Sequence, residues 1–136
     1  MSLLGIDLGG TKLAMSTFDL EGIVIDKQYI PLDGRKGKEV GTLITNNIEA
    51  LIKSDQFIND PIHSIGISVP GISRSKTGTV WAPNIPGWDD YPLLNEVQAI
   101  TQNIPVTIES DRACSILGEV WQGKAKGCQD AIFLAV

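Results

Sequence analysis

The spacing of apolar positions changes character several times along this chain, and each change predicts an element. Leu3–Leu8 is a short apolar run, Gly9-Gly10 marks a turn, and Lys12–Phe18 follows as a second strand. Asp19-Leu20-Glu21-Gly22 turns into a third, Ile23–Pro31, rich in β-branched residues. Adjacent glycines between two such runs supply the positive φ angles of a tight hairpin, so the first third reads as a three-stranded meander. Asp33–Lys38 holds two glycines and three basic residues and reads as an exposed loop. From Glu39 to about Lys53 the period becomes helical, with Val40, Leu43, Ile44, Ile48, Leu51 and Ile52 on one face.

Beyond Asn59-Asp60-Pro61, strand alternation returns in Ile62–Val69 and stops at Pro70-Gly71. Ser73–Thr79 reads as a polar turn inside a hairpin, and Ala82–Pro92 as a loop of Pro, Gly and Trp. Leu93–Thr101 predicts a short helix, Val106–Glu109 a strand, Asp111–Gln122 a helix, and Ala131–Val136 a buried strand. The order β-β-β-α-β-(hairpin)-α-β-α-β is a mixed α/β pattern, a sheet covered by helices. There is no internal repeat and no linker, so residues 1–136 read as one domain.

Composition narrows the classes. At 43% hydrophobic and 20% charged residues, the 136-residue chain is ordinary globular material. A formal net charge of -5 and the lack of a Lys/Arg cluster argue against a nucleic-acid partner. Two cysteines, Cys114 and Cys128, and one histidine, His63, leave no zinc site of the chain's own. No basic leader and no apolar stretch of about 20 residues is present, so neither secretion nor a membrane is expected, and the compartment is the cytoplasm.

Three segments carry candidate chemistry. In Asp7-Leu8-Gly9-Gly10-Thr11-Lys12, glycine N–H groups stand with no Cβ in the way of a phosphate. Thr11 adds a hydroxyl, Lys12 a charge, and Asp7 a carboxylate of the kind Mg²⁺ takes alongside phosphates. A plain hairpin accounts for the same residues. Ser68-Val69-Pro70-Gly71 and Ala82-Pro83-Asn84-Ile85-Pro86-Gly87-Trp88 lie on loops beyond strands, where Asn84 offers a donor and an acceptor to a sugar hydroxyl. Alternatively Pro and Gly merely shape these loops while Trp81 and Trp88 fill core, as Trp121 does on the last helix. In Val106-Thr107-Ile108-Glu109-Ser110-Asp111, Asp111 is placed to take a proton from a hydroxyl attacking a γ-phosphoryl group; equally, Ser110 or Asp111 is the N-cap of the following helix.

Taken in order, IDLGGTK (Ile6–Lys12), GISVPG (Gly66–Gly71), APNIPGW (Ala82–Trp88) and ESDRACSILGE (Glu109–Glu119) resemble the ROK family of bacterial sugar kinases and sugar-responsive repressors. The resemblance implies a ribonuclease-H-like, actin-like ATPase fold of two lobes, with residues 1–136 as the amino-terminal lobe and the second lobe's first strand begun at 130–136. It implies ATP phosphates at Gly9, Gly10 and Thr11, Mg²⁺ near Asp7, a hexose at Gly71, Asn84 and Ser110, and Asp111 as catalytic base. The family's remaining phosphate, sugar and zinc motifs would lie beyond Val136, so the fragment alone is expected to be inactive, and its exposed lobe surface and chain end to self-associate.

The chain departs from the family where Asn-Asp-Ala-Asn is replaced by Ser110-Asp111-Arg112-Ala113. The aspartate survives. Serine for the first asparagine forgoes a sugar hydrogen bond worth roughly 0.5–1.5 kcal/mol. Two other functions are therefore carried beside the ATP-dependent hexose kinase: the sugar-sensing part of a ROK repressor, and a non-catalytic sugar-binding module. A first strand at Leu3 leaves no room ahead of it for a repressor's DNA-binding domain.

Overall fold

In the computed structural model, which describes residues 1–132 and 134, the meander forms as β1 (Ser2–Leu8), β2 (Lys12–Phe18) and β3 (Val24–Pro31). Helices α1 (Lys38–Ile52) and α2 (Asp55–Ile58) lead to β4 (Ile62–Val69). A hairpin of β5 (Ile72–Arg74) and β6 (Thr79–Trp81) follows, then α3 (Leu93–Thr101), β7 (Val106–Ser110) and α4 (Asp111–Gln122). The main sheet has the order β3-β2-β1-β4-β7. β1 pairs antiparallel with β2 and parallel with β4, and β4 pairs parallel with β7, so β1, β4 and β7 share a direction.

Alternation decides which face of the sheet is dry. Leu4, Ile6 and Leu8 of β1, Leu13 and Met15 of β2, and Ile65, Ile67 and Val69 of β4 are buried on one face. Val40, Ile44 and Ile48 of α1 and Leu93 and Val97 of α3 cover them. Full burial of such side chains stabilises by roughly 1.5–3 kcal/mol each. The opposite face carries Gly5, Asp7, Ala14, Ser16, Gly66 and Ser68, and α4 lies over it without burying any residue completely. Small side chains on the sheet leave a cavity of about 680 Å³ beneath α4.

Several expectations are corrected. Only Trp88, at 1% exposure, fills core. Trp121 is 44% exposed, its ring lying against Gly22 and meeting Phe18 edge-on at 6.3 Å. Trp81 is 37% exposed because its strand neighbours Val80 and Ala82 take the inward positions. The Gly9-Gly10 turn also differs from a two-glycine hairpin of positive φ: neither glycine lies there, and the Gly9 N–H closes the turn on the Lys12 carbonyl at 2.9 Å. Of the strand expected over Ala131–Val136, Ala131, Ile132 and Leu134 lie in no strand, and Phe133, Ala135 and Val136 are outside the described residues. The one-turn helix α2, which buries Phe57, was not anticipated.

Candidate active site

Because β1, β4 and β7 run the same way, their carboxyl ends reach one edge of the sheet, where ligands of open α/β sheets bind. β1 gives way there to the Gly9–Thr11 turn, β4 to Pro70-Gly71, and β7 to Asp111 on the first turn of α4.

At the turn, the N–H groups of Gly10 and Thr11 and the Thr11 hydroxyl have no protein partner among the described residues. The turn is anchored by Leu32, whose N–H donates to the Thr11 carbonyl at 2.9 Å. Unpartnered N–H groups beside an exposed Asp7 carboxylate fit a phosphate with its divalent cation. Among the described residues no cluster of three or more His, Cys, Asp or Glu is placed to hold a metal ion. Lys12 is exposed, with its ammonium 4.7 Å from the centre of the Tyr29 ring.

Asn84 sits on a tightly held loop. Ala82 donates to Trp88 at 2.8 Å, Ile85 to Ala82 at 3.0 Å and Trp88 to Ile85 at 3.1 Å, all through backbone groups. Trp88 stacks on Tyr91 with ring centres 4.3 Å apart and donates its indole N–H to the Gly37 carbonyl at 3.0 Å. Tyr91 in turn donates to Glu96 at 2.6 Å; burial first, and then this carboxylate, push its phenol well above the ordinary tyrosine value. The result is an exposed Asn84 amide against the turn: a Cβ on Gly10 would stand 3.3 Å from Asn84 Nδ2.

Gly71, Ser110 and Asp111 line one cleft of about 520 Å³ together with Trp81, Pro83 and Glu109. Gly71 is required by packing, since a Cβ there would overlap the Trp81 carbonyl oxygen and come within 2.9 Å of Ala82 Cα. The choice of cap is decided: the Ser110 hydroxyl accepts from the Ala113 N–H at 3.3 Å, in extended backbone geometry. Asp111 is thereby free of the cap role. One of its carboxylate oxygens accepts the Arg112 N–H at 2.8 Å, and the other has no partner among the described residues.

Register adds residues that the sequence left without a role. Asp7 lies opposite Ser68, and Ser68 opposite Glu109, forming one row across β1, β4 and β7. Cys114 of α4 reaches the same place. Its thiol donates to the Glu109 carbonyl at 3.9 Å; burial pushes its pKa up, the neighbouring Ser68 opposes this, and the charges of Glu109, Asp7 and Asp111 add to the rise. From sequence Glu109 reads only as the end of a strand and Trp81 only as core, because pairing partners carry no local signal.

The ROK family pattern matches residues 3–136. The chain belongs to the ROK family. Its fold is accordingly the ribonuclease-H-like, actin-like ATPase lobe, a mixed sheet covered by helices. A glucokinase of Halalkalibacterium halodurans is 33% identical over 138 residues, covering 98% of this chain and 40% of that protein. A xylose repressor of Caldicellulosiruptor bescii is 34% identical over 137 residues, covering 99% of this chain and 34% of the repressor. A ROK family glucokinase from Streptomyces griseus, solved with glucose and AMPPNP, superposes with a TM-score of 0.73 at 28% identity, over 93% of this chain and 38% of that one. The ROK chain thus spans about 40% or less of the length of these three relatives. No helix among the described residues is long and apolar enough to cross a membrane.

Proposed function

We propose that this chain is the amino-terminal lobe of a two-lobed, ATP-dependent hexose kinase of the cytoplasm. One observation carries the reading: Gly71, Ser110 and Asp111 share a cleft at the sheet edge where Gly10 also meets Asn84. Asn84 and Ser110 hold sugar hydroxyls, with Gly71 shaping the wall. Asp111 takes the proton of the attacking hydroxyl through its unpaired oxygen, a role the capping by Ser110 leaves it free to perform. Gly9, Gly10 and Thr11 receive phosphate oxygens on backbone N–H and hydroxyl groups, Lys12 adds charge at the rim, and Asp7 holds Mg²⁺ directly or through water. ATP, when bound, supplies the phosphoryl group, and Mg²⁺ neutralises its charge.

Likeness to a xylose repressor, with Ser110 and Ala113 in place of asparagines, favours a second reading, a sugar sensor without turnover. A coupled assay of the complete protein across a hexose panel, with ATP and Mg²⁺, separates the two. The kinase reading expects turnover, and Asp111→Asn should lower it about 10²–10⁴-fold while sugar binding stays within a few-fold. Sugar binding without turnover in the unaltered protein would leave the sensor. These 136 residues alone should fall far below a typical kinase rate of roughly 1–100 per second, because phosphoryl transfer depends on positioning from both sides of a cleft.

A further inference from the structure

The cleft that holds Gly71 and Asp111 has two unlike walls. Ile72 and Trp81 are direct cross-strand partners in the β5–β6 hairpin, so their side chains share one face, and both are exposed, at 53% and 37%. Ser73 and Val80 face the other way, where Val80 is fully buried and the Ser73 hydroxyl donates to the Ile108 carbonyl at 2.9 Å. The hairpin is thus fastened to β7 by its inner face and presents an indole, an isoleucine and the nearby Pro83 to the cleft. The rest of the lining is polar, with Glu109, Ser110, Asp111 and Arg112. Large apolar side chains left exposed at the end of a short strand contribute nothing to the core, and here they line the cavity that holds the general-base candidate.

An apolar plate beside a wall of hydrogen-bonding and charged groups matches a ligand with one flat C–H face and a hydroxylated edge. A pyranose whose ring hydroxyls are all equatorial is such a molecule: its axial hydrogens lie above and below the ring, and its oxygens lie around the rim. Axial C–H bonds carry partial positive charge and meet the electron-rich face of an indole favourably. An axial hydroxyl pointing into that plate is stripped of water without a partner.

We propose that Trp81, backed by Ile72, is the stacking platform of the sugar subsite and selects an all-equatorial hexopyranose over epimers with an axial hydroxyl on the stacked face. This rests on the kinase reading only in taking the cleft as the sugar subsite; it assigns a contact and a substrate class which that reading leaves open. Trp81 acts on sugar choice, and Asp111 on the proton.

The test is a titration of the complete protein, labelled with ¹⁵N, with glucose and with its epimers. Mannose and galactose place an axial hydroxyl on one ring face at C2 and C4, and allose places one on the other face at C3. The Trp81 indole resonance should move with glucose, while that of Trp88, bonded to Gly37, stays in place. Trp81→Ala should weaken glucose binding about tenfold and leave at least one epimer set unchanged, so that this selectivity disappears. Trp81→Phe should keep part of it. Because Trp81 is partly exposed, the variants should remain folded, and an unchanged amide spectrum away from the cleft checks that. Shifts at Asn84 and Ser110 with none at Trp81, or equal losses for glucose and every epimer, would overturn the platform while leaving the sugar subsite. No shift anywhere would overturn both.

Discussion

Gly71→Ala puts a single methyl where the chain has no room for one. Ordinary van der Waals contact begins near 3.4 Å, whereas the new carbon would lie 2.9 Å from both the Trp81 carbonyl carbon and Ala82 Cα, and would overlap the Trp81 oxygen. The obstruction is backbone, so no side-chain rotation relieves it. The Trp81–Ala82 peptide has to retreat by more than half an ångström, carrying Pro83 and Asn84 with it. Overpacking of this kind costs about 1–3 kcal/mol, which should lower the melting temperature by roughly 4–12 °C. Displacing a binding group by about 1 Å costs on the order of 10²-fold in rate in well-ordered sites, so sugar turnover in the complete protein should fall by at least tenfold. Gly66→Ala on β4 is the control, since a Cβ there meets nothing within 4 Å; its effect should stay within about 1 kcal/mol. Thermal melts followed by circular dichroism, together with the sugar assay, read both quantities. If Gly71→Ala melts with Gly66→Ala and keeps full sugar turnover, the close approach of the two loops does not position the site and the reasoning fails.

Gly10→Ala should weaken sugar binding a few-fold as well as ATP binding, because its methyl presses on the Asn84 amide at 3.3 Å rather than entering a strained φ; separate titrations of the two ligands distinguish this from a defect of the phosphate turn alone. Tyr91→Phe removes the hydrogen bond to Glu96 and should cost about 1–3 kcal/mol at pH 7, read from denaturant midpoints. The Tyr91 phenol titrates higher folded than unfolded, so its contribution is full below about pH 10 and is lost as pH rises toward the folded value. The alkaline fall in stability should therefore be shallower in Tyr91→Phe, and an equally steep fall would assign it to other groups.

Local spacing determined most of the elements. Lys12–Phe18, Ile62–Val69, Leu93–Thr101 and Asp111–Gln122 form with the bounds their periodicity predicts, because apolar repeat, turn residues and caps all act within a few positions. The family was equally legible, since four short segments in a fixed order survive as sequence. What lies between segments was not. The sequence left Ser110 and Asp111 as rival caps, and only the approach of the Ala113 N–H to the Ser110 hydroxyl assigned the cap and released the carboxylate. Glu109 joined Asp7 through Ser68 only once the parallel register was fixed. Gly71 read as a loop glycine until the Trp81–Ala82 backbone was found against it, and Trp81 read as core until its neighbours took the inward positions. The cap turned on the geometry of a single helix turn and the strand row on pairing between segments distant in sequence, and hydrophobic pattern records which face is buried without recording what packs against it.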